Sequence, residues 1–521
     1  MLIQLLHFSK IKNVVLAIAL VATQLFAQDG MLDSSFGTNG KSLVHVGAKH
    51  TGATDISIQK DGKFVAIGTA NTGSNTDFAI VRFNSDGSID SDGFGTQGKV
   101  IVPVGPTFDF GFAVDLQSDE KIIVAGYGIN VSDNDFAAVR LNTDGSIDET
   151  FGNKGRVMTP VGSAQDYAYD VVVQRDDKII LAGARHISLD IDFALVRYLS
   201  DGSLDSGFGE NGIVTTDFAN GADAINSIAL QADGKIIAAG YAKVKGFLYF
   251  SVARYNTDGS LDLSFGEAGK KISDAQGNAK KVVVLPSGKI LVGGDNSLAF
   301  VLARFNSDGS PDTSFDGDGI LVSQIGGGDS IEELLPLSDG TFIACGTSYE
   351  GAVAVNAAAR YLSNGALDVA FGTNGVTKQV IGANYSFGWA AVMQPDGKFV
   401  IAGKSREGLL DAFTLARFNN SGVPSGINIE KSQPVKFTLQ QNYPNPFNPS
   451  TTINYNLAKA GFVTLTIYNT TGQLSATLVN SFQNAGEHDL QFDGAGLASG
   501  VYLYKLTAGN VTQVKRMLLV K

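Results

Sequence analysis

"RLNTDGSIDETFGNKG" (residues 140–155) places two Asn, three acidic side chains and three glycines in one short run. Such a run holds a calcium ion, cradles a phosphate or turns the chain between strands. As an EF-hand-like loop with Gly145 at its sixth place, it would begin on Arg140 and end on Phe151, where carboxylates must bind the ion. "FGNKG" lacks the G-x-G-x-x-G form and the strand-to-helix setting of a dinucleotide site. The third reading is the one the rest of the chain supports. Versions of the stretch begin at Arg82, Arg140, Arg197, Arg254, Arg304 and Arg360, and a shortened one at Arg417, spaced 50 to 58 residues apart. A second signature recurs in step: "QKDGK" at Gln59, then copies at Gln117, Gln174, Gln231, Leu285, Leu337 and Gln394. Between the two signatures apolar residues alternate with period two or form short runs flanked by Asp-Gly turns, the marks of strands and hairpins.

Four strands in each repeat of ~57 residues describe a propeller blade. In residues 98–147 these are "GKVIVPVG", "AVDLQ", "IIVAGY" and "DFAAVRLN". The copy at Arg417 lacks its "LDxxFGxxG" portion, whereas "MLDSSFGTNG" stands alone at residues 31–40. With Phe36 displaced to the front, Phe94, Phe151, Phe208, Phe265, Phe315 and Phe371 complete a set of seven, as ring closure requires. The expected fold is all-β: a seven-bladed β-propeller over residues 28–423. In each motif Asp-Gly turns the chain, Phe fills the space between blades, and Arg pairs with an Asp of its own or the neighbouring repeat.

The two signatures in register resemble the delta-60 repeat family, whose tandem motifs form β-propellers. That resemblance implies architecture and no agreed activity. After a linker at 424–436 the repeat is gone, and residues 437–521 alternate as short strands, which predicts a small β-sandwich. "YPNPFNPST" (443–451), "TGQ" (471–473), "LASGVYLYKL" (497–506) and the basic-apolar run Lys515 to Lys521 resemble the type A C-terminal sorting domain of the type IX secretion system of Bacteroidetes. The resemblance assigns the sorting signal to Tyr443, Pro444, Asn445, Pro446, Phe447, Gly472, Gly500, Tyr502, Lys515 and Lys521. It implies the type IX machinery as partner of residues 437–521, and release outside the cell or attachment at its surface.

Residues 1–27 have Lys10 and Lys12 before an apolar run from Val14 to Val21 and end on Ala27, the layout of a signal peptide. A net charge of −12 with no basic run argues against nucleic acid. Membrane contact is expected only in transit or through surface attachment, and the protein is expected to be a monomer. The five histidines are scattered, Cys345 sits in the apolar "FIACGT", and no zinc or nucleophile spacing occurs. No catalytic residue, metal or cofactor is therefore expected; Asp190 and Glu332 stand out as acidic residues that do not repeat.

The repeated turns emerge on one face of the ring and the variable loops on the other. Those loops are 105–112, 130–135, 162–169, 184–190 and 382–389. They place Phe108, Phe110, Tyr167, Arg185, His186, Tyr385, Phe387 and Trp389 as candidate ligand-binding residues. The alternative for Phe112 and Trp389 is packing between blades. The expected function is non-enzymatic binding of an extracellular glycan or protein. The alternatives are a polysaccharide-active hydrolase or lyase, or a structural surface or adhesion component.

Overall fold

The structure, a computed structural model, describes residues 28–421 and 438–521 apart from 48, 74, 131–132, 188–189, 219–220, 458–460, 484–485 and 509–510. The signal segment 1–27 and the linker 424–436 lie outside the described residues, as do parts of the 130–135 and 184–190 loops. Every named element is a strand. The chain divides into two compact units, one holding the repeats and one most of the C-terminal region.

The repeat unit is built of seven four-stranded antiparallel sheets. The first holds Lys49–Ile58, Phe64–Asn71, Thr76–Phe83 and Lys99–Val102, in that order. The second repeats the plan with Asp109–Leu116, Ile122–Ile129, Asn134–Leu141 and Arg156–Thr159. The first strand of each sheet packs on the first strand of the next, and that of the seventh packs on that of the first, so the sheets form a closed propeller around a central axis. Neighbouring sheets cover both faces of the middle strands, which explains continuous runs such as "TDFAIVRF", buried along its whole length.

One boundary differs from the sequence reading. The "GKVIV" strand is the outer strand of the preceding sheet, pairing Lys99–Val102 with Phe78–Val81. The Asp-Gly motif thus runs within a sheet, from third to fourth strand, and the variable segment before each inner strand is the step to the next sheet. The division into a repeated face and a variable face is unchanged by this.

The recurring Arg does three things. Arg140 Nε donates to Asp148 Oδ2 at 2.8 Å, its guanidinium lies 4.8 Å from the centre of the Phe151 ring, and Nη1 donates to the Ser200 carbonyl of the next repeat. The Lys of the second signature joins the same carboxylate, Lys121 Nζ standing 3.1 Å from Asp148. The glycine of the motif is a packing requirement as well as a turn. At Gly145 (φ +83°) a Cβ would stand 2.8 Å from the Phe94 ring of the preceding repeat.

The displaced piece closes the ring with the same parts. Lys41–Val44 pairs antiparallel with Leu410–Phe418 as the fourth strand of the seventh sheet. Arg417 meets Asp33 at 2.9 Å, lies over Phe36 at 4.7 Å, and donates to the Ser85 carbonyl of the first repeat at 2.9 Å.

The C-terminal unit has a three-stranded sheet (Thr438–Leu439, Ser450–Leu457, Gly486–Asp493) and a four-stranded one in the order Leu474–Gln483, Gly461–Asn469, Gly500–Ala508, Val511–Leu519. Both contribute to one apolar core that includes Ile453, Leu457, Leu465, Tyr504 and Met517. Most of the sorting-motif residues hold this unit together. Phe447 is buried, Asn445 Oδ1 accepts from Leu518 N at 2.9 Å, and Tyr443–Pro444 and Asn445–Pro446 are cis. Gly472 turns the 469–473 hairpin with φ +82°, and Gly500 opens the strand carrying the buried Tyr502, whose hydroxyl donates to Ala498 O. Lys515 pairs in register with Tyr504, and Lys521 Nζ donates to Ala495 O at 2.6 Å. Tyr443 pairs with Thr452 through its main chain at 3.0 Å, but 81 % of its surface is exposed.

Candidate functional site

Every inner strand contains a bulge at the same place, where the register with the second strand skips one residue. The extra residues, from first to seventh sheet, are Thr54, Phe112, Tyr169, Asn226, Lys280, Glu332 and Trp389. A bulge bends the strand and re-aims the side chain of its unpaired residue. All seven are partly exposed although they sit on the innermost strands. The solvent beside an innermost strand is that of the central channel and its mouths, so these side chains ring it.

The ring has two characters. The seventh, second and third sheets give an aromatic arc. Phe387 stacks on Trp389 (5.9 Å between ring centres), and Phe112 on Tyr127 (5.6 Å), with its edge to Tyr169 (5.6 Å). Between the seventh and second sheets, Gly52 of the first leaves room for the indole: a Cβ there would lie 2.8 Å from Trp389 Cζ3. The fourth, fifth and sixth sheets give a polar arc. Asn226 Nδ2 donates to Asn278 Oδ1 at 2.7 Å, and the single Ser330 hydroxyl proton is shared between Glu332 Oε1, 2.7 Å from Oγ, and Asp295 Oδ2, 2.9 Å away. Burial pushes the Glu332 carboxyl above its ordinary pKa, against the pull of Lys280 and the Ser330 hydrogen bond.

One residue further along lies a second, deeper set of charges. Lys281 Nζ meets Glu333 Oε2 at 2.9 Å. Asp55 Oδ2 accepts from Val114 N of the second sheet, and Asp170 Oδ2 from Ile228 N of the fourth, both at 2.8 Å. Burial raises the Asp55 pKa to about 7; Lys281 pulls it down, while Asp170 and Glu333 add to the rise.

Two sequence families account for most of this architecture. Residues 59–92, 117–151, 174–208, 231–265, 285–315 and 337–371 match the family described as Domain of unknown function (DUF5122) beta-propeller, and residues 441–521 match the Secretion system C-terminal sorting domain. The chain carries DUF5122 β-propeller repeats and a type IX sorting domain. The sorting domain implies export by the type IX machinery, to the cell surface or beyond it. No curated protein matches the chain. Among solved structures, Sqt1 from Chaetomium thermophilum is similar at 11 % identity over 73 % of this chain and 97 % of that one, with a TM-score of 0.39. The polysaccharide lyase Uly1 is 11 % identical over 74 % of this chain and 93 % of its own (TM-score 0.38). PorZ, a surface component of the type IX secretion system of Porphyromonas gingivalis, is 11 % identical over 92 % and 82 % (TM-score 0.22). At these scores none of the three bears on a ligand.

Within the DUF5122 propeller the residues singled out from sequence fall into separate groups. Phe110 and Tyr167 join one aromatic cluster through Tyr127, at 5.1 and 4.8 Å, and His186 adds its ring edge to Tyr167 at 5.3 Å. Burial lowers the His186 pKa, against the pull of Asp166. Tyr385 and Phe387 pack edge to face at 5.4 Å beside Trp389, and Tyr385 OH donates to Asp411 Oδ1 at 2.9 Å. Phe108 is exposed on its loop. Arg185 is engaged by Asp192, at 2.9 Å through Nε and 2.7 Å through Nη2.

Phe112, Tyr127, Tyr169, Asn226 and Lys280 are additional members that the sequence alone did not single out as binding residues. The spacing that finds the bulge series is constant: each member stands five residues before the second signature. On the repeated face, a cleft of about 500 Å³ lies between the fifth and sixth sheets, lined by Leu285, Lys289, Arg304, Asp339 and Asn364 among others. Its walls are the repeated turns, whereas the channel ring differs from sheet to sheet.

Proposed function

We propose that the exported propeller is a non-enzymatic binding module that takes a glycan, or else a protein, at the variable face and channel mouth. The observation that carries this reading is the bulge ring, in which a structurally repeated position holds a different side chain in every sheet. Half-exposed rings offer flat apolar faces to sugars, and the Asn226–Lys280–Glu332 arc supplies donors and acceptors for hydroxyls. Glu332, a carboxyl with a raised pKa beside Lys280, favours a polysaccharide-active enzyme as the second reading.

Retention of the exported chain on a panel of polysaccharides and surface glycans tests both. Selective binding with the glycan unchanged is expected. Trp389→Ala should weaken it about tenfold, the scale of losing one aromatic anchor, with the melting temperature nearly unchanged. New reducing ends or unsaturated products would establish the enzyme instead. Absence of retention on every glycan would leave a protein as the ligand, and undiminished affinity in Trp389→Ala would remove the aromatic arc from the site.

A further inference from the structure

We propose that Asp192, Asp217 and Asp223 bind one calcium ion at the junction of the third and fourth sheets. Asp192 lies near the start of the strand Asp190–Tyr198, Asp217 directly follows the outer strand Ile213–Thr216 of the same sheet, and Asp223 opens the inner strand Asp223–Leu230 of the next. One carboxylate oxygen from each stands within 4.8 Å of the others. Oxygens about 2.4 Å from a shared Ca²⁺ span at most about that distance.

A group of acids alone would be no argument, but two of these are buried with an oxygen to spare. Asp192 is 2 % exposed and Asp223 0 %. The Arg185 bonds fall on Asp192 Oδ2 and the Phe218 N–H bond on Asp223 Oδ2. Oδ1 of each is buried without a hydrogen-bond partner. A buried carboxylate oxygen left unsatisfied is costly unless a cation meets it.

The earlier junctions differ in the number of carboxylates rather than in having an orphaned oxygen, since Asp77 Oδ1 at the first is likewise buried without a hydrogen-bond partner. Asp77 and Asp109 occupy the corresponding positions between the first and second sheets, and Asp135 and Asp166 between the second and third. At those two junctions the residue matching Asp217 is Pro103 or Pro160. Among the described residues only the third junction of this series brings a third carboxylate within 4.8 Å of the other two, and Asp217 is exposed, giving an ion a way in. Arg185 offsets one of the three negative charges, leaving the charge that a divalent cation balances. Lys270 Nζ donates to the Asp217 carbonyl at 2.8 Å, which adds a positive charge at the edge of the group. An all-oxygen set without His or Cys selects a hard cation.

The test is thermal unfolding and calorimetric titration of the full exported chain with CaCl₂ against EDTA. At about 5 mM calcium, a site with a Kd of ~0.1–1 mM, as in extracellular modules, should raise the melting temperature by roughly 1–3 °C and titrate with one ion per chain. Asp217→Asn, a change at an exposed residue, should abolish both effects. A wild-type chain with neither shift nor heat would overturn the proposal, and so would an undiminished shift in Asp217→Asn.

Discussion

Arg140 shows how much one repeated residue carries. Its guanidinium pairs with Asp148, lies over Phe151 and reaches the next repeat at Ser200, while only 5 % of the residue is exposed. Truncation would leave Lys121 as the only cation at the buried Asp148 carboxylate, with Thr150 as its remaining hydrogen-bond donor. Arg140→Ala should therefore lower stability by about 3–5 kcal/mol, the cost of breaking a buried pair from one side. Arg140→Lys should recover only part of this, because an ammonium keeps the charge and loses the planar fork. Urea unfolding of the three proteins checks the order. The motif is legible in the sequence because the same Arg, Asp and Phe recur at fixed offsets. The Asp192–Asp217–Asp223 group is not, because its members belong to different strands and two of them look like ordinary repeat aspartates.

At the level of elements, the strands were readable from alternation and Asp-Gly turns, and the inner-strand bulges were not. A bulge adds one residue without a composition of its own: here it is Thr, Phe, Tyr, Asn, Lys, Glu or Trp. That explains why between-blade packing was an open alternative for Phe112 and Trp389, and why Tyr169, inside the variable loop 162–169, was not singled out. It also explains the shifted sheet boundary, since a four-residue strand such as Lys99–Val102 pairs backward with nothing in its own sequence to say so. The closing strand gives a quantitative check. If residues 31–44 are a full member of the ring, Phe36→Ala should cost as much as Phe151→Ala, each about 3–5 kcal/mol for an aromatic removed from a packed core. Both are 0 % exposed, and each lies under the Arg of its own sheet. A much smaller loss for Phe36→Ala in urea unfolding would show that the closing piece is only loosely held.

For the propeller as a whole, two sets of carboxyls give stability opposite pH dependences. Burial pushes Asp33, Asp90, Asp148, Asp205 and Asp312 upward, but hydrogen bonds and charges from Lys, Arg and neighbouring groups outweigh it and hold them below the usual range. At Asp262 the Lys235 hydrogen bond is the largest influence. Depressed groups stabilise the fold above the unfolded carboxylate pKa of ~3.9, and that contribution is lost as pH falls below it. Asp55, raised to about 7, acts in the other direction: it favours the fold while protonated, and its contribution fades as pH climbs from ~4 through 7. Urea midpoints measured across pH should drop steeply below about 4 and decline gently from there to neutrality. Asp148→Asn should make the acid limb shallower.

The closure between residues 41–44 and 410–418 also bears on the order of assembly. Six sheets can form from strands close in sequence, but the seventh must wait for a strand that was made first. Until the two meet, its third strand presents a bare row of amides and carbonyls to whatever chain is near. A second molecule's residues 41–44 fit that row as well as its own, so crowded refolding should yield strand-exchanged dimers. Joining residues 28 and 421 by a short linker and opening the chain at another repeat would move the seam without altering the ring.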